Sequence, residues 1–346
     1  MPFTRYDSRT AYDALFGARL ALREWNARGG VMGYRVELVA QDDENDAEVA
    51  AGRARELAID RDVLGVIGHL SNDTALKAVG EYRKAGLPLL TFASASALTT
   101  EAGRGVLRLG PNDEQLAMAV LDDLSGKFSI DRVAIVERRS LVSIGSADVF
   151  EREIVGRGGS VVLRENVDRA DRDFGDIFTQ SKASRVTLVV FLGGYRQAAA
   201  FYTGLHRELE QTAFIAVGSD TPDFPKIGGE NLLGAMYVAP WPLLNRQEDP
   251  GKEFFGKYVA LAGAEPSRYG PISYDAVNLL LGAAERSYRA TGKLTREGVL
   301  DQLESSEPVT GVSGVLAFDE HGDLKSPKPM VYRIEEKGVY PGVAIK

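Results

Sequence analysis

The sequence contains no cysteine, which excludes thiol catalysis and cysteine-based zinc sites and carries no information on redox compartment. Histidine occurs only at His69, His206 and His321. Three scattered rings argue against a histidine-rich metal site, and neither a metal nor a cofactor is expected. No run approaches 18 apolar residues, so no membrane span is expected. Blocks of lysine and arginine are missing as well. With 49 acidic against 41 basic residues the net charge is −8, which disfavours nucleic acid or an anionic membrane as a partner. No GxGxxG follows a strand and no GxxxxGK[ST] occurs, so dinucleotide and P-loop readings lack their signals. GxSxG is absent, and no local constellation pairs a serine with a histidine. The opening MPFTRYDSRT has neither the apolar h-region nor the basic n-region of a signal peptide, which leaves location open.

What the chain does have is core. Of its 346 residues 44% are hydrophobic, enough for a large interior and for two domains. Residues 11–28 read as an amphipathic helix with Ala14, Ala18, Ala21, Leu22 and Trp25 on one face, stopped by Gly29-Gly30. Arg35–Ala40 alternates like a strand, and 46–60 is a second helix. Beyond residue 112 the alternation restarts. Strands are expected at Val133–Val136, Val161–Leu163, Leu188–Phe191, Phe214–Val217 and Ala235–Val238, with helices near 145–156, 173–183 and 195–209. Three helices follow, at about 251–262, 271–289 and 295–304, and then short β segments at Val315–Phe318, Met330–Ile334 and Val339–Ala344. Strands alternating with helices of 10–15 residues predict an α/β fold with parallel sheets and right-handed crossovers.

The stretch from Val63 to Thr100 organises the first half. An apolar strand, Val63–Ile67, ends at Gly68, and Ser71, Asn72, Asp73 and Thr74 then offer consecutive N-cap types before a helix over Ala75–Ala85. A second strand, Leu89–Phe92, runs into Ser94 and Ser96 ahead of another helix start at Thr99–Glu101. Both turns lie at carboxyl ends of strands, where ligands bind in open parallel sheets. Helix N-termini with free N–H groups suit a carboxylate or other small anion. Phe191-Leu192-Gly193-Gly194-Tyr195 repeats this logic in the second half, where Tyr195 reads as a ligand contact because a tyrosine directly after Gly-Gly is poorly placed for burial. Asp220 follows the strand Phe214–Val217 and Gly218-Ser219. A carboxylate there can pair with a ligand ammonium or cap the next turn. Tyr269, near the start of a long helix, can face a cleft. The acidic cluster Asp42, Asp43, Glu44 and Asp46 reads as a solvated βα loop in preference to a metal site. Residues 319–323 read as a hairpin turn without the spacing of a calcium loop.

Taken in order, GARLALREWNARGGVMG at Gly17–Gly33, DDEND at 42–46, VIGHLSND at 66–73, LTFASASALT at 90–99, FLGGY at 191–195, VGSD at 217–220 and FDEHGDLK at 318–325 resemble the type I periplasmic binding proteins. Specifically, they resemble the leucine/isoleucine/valine-binding group that serves ABC transporters. VIGHL with Tyr82, and FLGGY, carry this most sharply, and the resemblance spans nearly the whole chain. It implies two Rossmann-like lobes, residues 1–111 with 241–326 and residues 112–240 with 327–346. They would be joined by three crossings and close on a ligand cleft like a hinge. It also implies binding without catalysis, an ABC transporter permease as partner, and a periplasmic or extracytoplasmic location.

Carried over by position, the family's hydroxyl after GHL falls at Ser71 or Asn72, beside the ligand carboxylate. The alanine whose carbonyl accepts from the ammonium falls at Ala93. Ala95 or Ser96, depending on where one residue is deleted, stands where the family has threonine. Tyr195 matches the tyrosine after Gly-Gly. Asp220 replaces a glutamate, and Tyr269 is the aromatic at the side-chain pocket. A further family tyrosine aligns with Ile144. Family members begin with a strand of the type KIGVV at the centre of the first sheet, whereas this sequence opens at about the following loop, Pro2-Phe3-Thr4. Either that strand lies outside this sequence or the first lobe is built differently. The expected ligand is an aliphatic or otherwise apolar amino acid. The alternatives are an amide or aromatic acid on the same fold, or an intracellular ligand sensor.

Overall fold

Small residues along one stripe let the first helix bury deeply. α1 (Ser8–Ala27) places Ala11, Ala14, Ala18, Ala21 and Trp25 in the interior. A Cβ on Gly17 would stand 2.0 Å from the Gly270 carbonyl oxygen, so only glycine permits this helix approach. The computed structural model describes residues 1–4, 8–100, 104–139, 145–168, 170–305 and 307–345. The chain forms two compact units, Met1–Asn112 with Trp241–Pro327, and Asp113–Pro240 with Lys328–Lys346.

In the first unit α1 is followed by α2 (Ala47–Ile59), β1 (Val66–Ile67), α3 (Asn72–Lys84), β2 (Leu89–Thr91), α4 (Ala97–Thr100) and β3 (Val106–Arg108). The three strands form a parallel sheet in the order β1-β2-β3. Asp46 caps α2 by accepting from the Glu48 and Val49 N–H groups, which satisfies donors that the helix start leaves orphaned. The chain then builds the second unit with α5 (Asp113–Leu124), β4 (Val133–Arg138), α6 (Ser146–Gly156), β5 (Val161–Val167), α7 (Gly175–Ala183), β6 (Leu188–Leu192), α8 (Tyr195–Glu208), β7 (Ala213–Val217), α9 (Phe224–Gly228) and β8 (Met236–Ala239). It returns to the first unit for α10 (Gly251–Ala262), α11 (Tyr269–Thr291), α12 (Arg296–Glu304) and the antiparallel hairpin β9 (Val309–Gly311) and β10 (Gly314–Leu316). β11 (Met330–Arg333) and β12 (Val343–Ala344) complete the second unit's sheet, in the order β12-β11-β8-β7-β6-β4-β5.

β6 shows why the second unit's sheet is stable. All five of its residues are buried. Val189 and Phe191 join a core with Phe201 and Phe214, while Leu188, Val190 and Leu192 join another with Ile215 and Phe150. Successive side chains leave opposite faces, so a strand covered on both sides reads as an unbroken apolar run.

Some segments depart from the sequence reading. Residues 35–40 alternate but carry no strand pairing among the described residues, and a strand exists only with a partner to bond. β3, in contrast, was not expected. Its charged Arg108 interrupts the apolar pattern, yet it is 0% exposed. The helix start expected at Thr99–Glu101 appears earlier, as the single turn α4, and residues 101–103 lie outside the described residues. So does Ile144.

Candidate functional site

In the first unit the carboxyl ends of β1 and β2 meet through one side chain. Ser71 is the N-cap of α3 and its Oγ accepts from the Thr74 N–H. Asn72, the first residue of that helix, turns its carboxamide onto the neighbouring loop. Its Oδ1 accepts from the Ser94 N–H at 2.8 Å and the Ala95 N–H at 3.0 Å, and its Nδ2 donates to Ser94 Oγ at 3.3 Å. Donors that the sequence assigned to a ligand carboxylate are thus engaged by Asn72. α4 is also too short to build a macrodipole, whereas α3 has 13 residues and presents a positive end.

Arg108 fixes the same loop from beneath. Its guanidinium donates to the Ala93 carbonyl, to the Ala95 carbonyl at 2.9 Å and to Thr99 Oγ1 at 3.0 Å, and Nε donates to Asp323 Oδ1 at 2.7 Å. The Ala93 oxygen keeps a second lone pair for another donor. Ser96 opens α4, and its Oγ is buried without a hydrogen-bond partner among the described residues. Tyr269, half-buried at the start of α11, packs edge-on to Trp241 at 4.9 Å and to Phe92 at 5.7 Å between ring centroids. Ser71, Asn72, Ala93, Ala95, Ser96 and Tyr269 therefore gather around the β1 and β2 ends of this unit.

The acidic cluster is not a solvated loop throughout. Asp43 is 1% exposed; it holds His69 Nδ1 at 2.7 Å and the Met1 amine at 3.1 Å, and His69 Nε2 lies 3.1 Å from the Tyr82 hydroxyl. Burial raises the Asp43 pKa, but the hydrogen bond to His69 and the neighbouring positive charge outweigh it and bring the pKa to about 2. Burial lowers the pKa of His69. Among the described residues no group of three or more His, Asp or Glu side chains is arranged to hold a metal.

In the second unit β6 and β7 lie side by side and parallel, so the turns at their carboxyl ends are neighbours. Ser219 Oγ donates to the Gly193 carbonyl at 3.1 Å and ties these turns together. Tyr195 starts α8 just after Gly194. It is 8% exposed and part of the core, contrary to the expectation that Gly-Gly leaves it poorly placed for burial. Asp220 follows Ser219, and its Oδ1 accepts from the Tyr340 hydroxyl at 2.8 Å. Tyr340 stacks on Tyr237, which also stacks on Tyr332.

Sequence reasoning missed Arg108 and Tyr340. An arginine between Leu107 and Leu109 is a visible sign of a buried charge, but its partner is more than 200 positions away. Tyr340 gave no local sign at all.

The model of the Periplasmic binding protein family matches residues 8–338. Over 331 residues the chain is 27% identical to an Amino acid binding protein of Pseudomonas aeruginosa, covering 94% of this chain and 86% of that one. The structure of a leucine binding protein, LivK, from Thermotoga maritima superposes with a TM-score of 0.86 at 23% identity, covering 98% of this chain and 94% of that one. LivJ, the branched-chain amino acid transporter substrate binding protein from Streptococcus pneumoniae, in complex with isoleucine, gives 0.83 at 21% identity and covers 99% and 97%. With both sheets, the ordered motifs and a match across almost its full length, the chain belongs to the periplasmic binding protein family, among the type I members related to leucine/isoleucine/valine-binding proteins.

Proposed function

We propose that this protein is an extracytoplasmic solute-binding protein that captures an aliphatic or otherwise apolar amino acid and presents it to an ABC transporter permease. The first unit's part is recognition of the carboxylate, at the start of α3 around Ser71 and Asn72. The second unit's part is the ammonium, at Asp220 with Tyr195. The Ala93 carbonyl is a further acceptor for that ammonium, Ala95 and Ser96 shape the loop beside it, and Tyr269 meets the ligand's apolar side chain. The ligand is bound and released without chemistry.

The observation that carries this reading is Asp220. It stands at the carboxyl edge of the sheet, beside the turn that leads to Tyr195, and Tyr340 holds one of its oxygens. A charge held this way selects a cation, and the relatives named for amino acids supply the class.

Calorimetry with leucine, isoleucine and valine, with benzoate as a carboxylate lacking an ammonium, tests the reading. Asp220→Ala should weaken leucine binding by at least ~1.5 kcal/mol, as for a truncated partner of a buried charge pair, and leave benzoate unaffected. Unchanged leucine affinity removes Asp220 from the site. Preference for benzoate over every amino acid replaces this reading with that of an aromatic-acid binder.

A further inference from the structure

His69 and Tyr82 stand among the residues by which this sequence is most sharply marked, yet neither belongs to the candidate site. Both are buried, at 4% and 1% exposure. Asp43 Oδ2 lies 2.7 Å from His69 Nδ1, and the Tyr82 hydroxyl lies 3.1 Å from Nε2. The protons on this line can be assigned. Asp43, with its pKa at about 2, is ionised and only accepts, so Nδ1 carries a proton and donates to it. Burial lowers the pKa of His69 and raises that of Tyr82, so the ring stays neutral. Nε2 is then an acceptor, and the phenol donates to it.

The direction of the second bond matters. His69 stands just before α3, whereas Tyr82 comes ten positions after its first residue, Asn72, roughly 15 Å along the axis at about 1.5 Å per residue. Side chains lean toward a helix's N-terminus, so the phenol reaches back and the link runs lengthwise. The neighbouring contacts resist sliding poorly. α3 packs on α2 through Ala75, Ala78 and Val79 against Ala50, Ala54 and Leu57. Alanine ridges are shallow, and apolar burial has no direction. A hydrogen bond has a fixed length and angle, so the His69–Tyr82 bond sets α3 along its axis. Asp43 anchors the ring in turn: its Oδ1 accepts from the Asn45 N–H at 3.1 Å, and its carbonyl accepts from Asp46, the N-cap of α2. At the far end, Asn72 passes any displacement of α3 to the Ser94 and Ala95 N–H groups.

We propose that His69 is a positioning residue for ligand binding. The strut Asp43–His69–Tyr82 fixes α3 along its axis and so places the start of that helix, at Ser71 and Asn72, against the ligand carboxylate. For the identity of the ligand this rests on the proposed function; what it adds is the group that holds the recognising helix in place.

Leucine calorimetry beside urea denaturation of the full chain tests this with three variants. Tyr82→Phe removes one hydroxyl and keeps the packing. It should weaken leucine binding about three- to tenfold, the yield of one net hydrogen bond, and shift the carbon-13 resonance of the bound leucine carboxylate but not those of its methyl groups. His69→Gln sets a carboxamide where Nε2 stands, so it still accepts from Tyr82 but gives up Asp43. His69→Asn imitates Nδ1, so it keeps Asp43 and gives up Tyr82. Bonds to a charged group are the stronger ones, so the asparagine variant should be the more stable of the two. Affinity should run the other way, with glutamine within about twofold of the parent and asparagine about three- to tenfold weaker. A purely structural role moves stability and affinity in the same order. Affinities that follow stability, or a Tyr82→Phe variant that binds leucine as the parent does, overturn the proposal, and Tyr82→Phe decides by itself if neither His69 variant folds. Either result with a leucine-binding parent refutes the strut alone; a parent that binds no amino acid refutes the proposed function, and the role of His69 with it.

Discussion

Replacing Arg108 by methionine probes the link between the candidate ligand loop and the turn at 319–323. The side chain is 0% exposed, and Asp323 is 6% exposed. Arg108→Met keeps the apolar stem but removes the ion pair and the donors to the Ala93 and Ala95 carbonyls and to Thr99. Breaking a buried charge pair on one side costs about 3–5 kcal/mol. Asp323 keeps Asn112 as a donor at 2.8 Å, so the middle of that range, about 4 kcal/mol, is expected. In a unit of about 200 residues this lowers the unfolding midpoint by about 8–16 °C. Urea denaturation followed by circular dichroism measures the same loss without relying on heat. Adding Asp323→Leu replaces both charges by apolar groups, and the double variant should recover at least half the loss. A single-variant cost below about 1 kcal/mol, the value of an exposed pair, or strict additivity in the double variant, would refute the argument.

Three further outcomes follow from the geometry. Asp275 accepts from the Val312 and Ser313 N–H groups and the Ser313 hydroxyl, yet burial raises its pKa to about 6. The fold then binds the proton more tightly than the open chain, so this group's stabilisation is full below pH 3.8 and is lost as pH rises through 6. The loss is at most about 3 kcal/mol. In urea titrations from pH 4 to 7, Asp275→Asn should gain on the parent as pH rises, and parallel curves would show that Asp275 is ionised throughout. Asp43, with its pKa at about 2, acts in the opposite sense. Its contribution is present above pH 3.8 and declines as pH falls toward 2, and Asp43→Asn should flatten that decline in acid titrations. Tyr340→Phe should weaken leucine binding about three- to tenfold by removing the hydroxyl that holds Asp220 Oδ1, with little change in unfolding midpoint; identical calorimetric affinity would deny Tyr340 a positioning role.

Much of the fold is legible in the residues because parallel sheets announce themselves. Strands such as Leu188–Leu192, buried on both faces, are unbroken apolar runs, and the helices between them carry clear stripes. Pairing is the part that composition does not carry. Residues 35–40 have the look of a strand but are not paired among the described residues, whereas Val106–Arg108 has two apolar residues and an arginine but is paired on β2 and becomes one. The candidate site divides in the same way. Asn72 and Asp220 stand out as candidates because strand-to-helix turns mark the carboxyl edge of a sheet, whereas Ala93 is a candidate through the family resemblance alone. That Asn72 spends its carboxamide on the next loop, and that Tyr195 packs inward, depends on contacts 20 or more positions apart in sequence or on the whole core.

The Asn72 carboxamide has an evolutionary corollary. Because this one side chain, carried on the turn after β1, ties down the turn after β2, the two are coupled. A lineage can change the side chains at 94 and 95 and keep these bonds, which come from backbone N–H groups, but a change at 72 releases the second turn at once. Position 72 is therefore the point through which this pair of turns changes together.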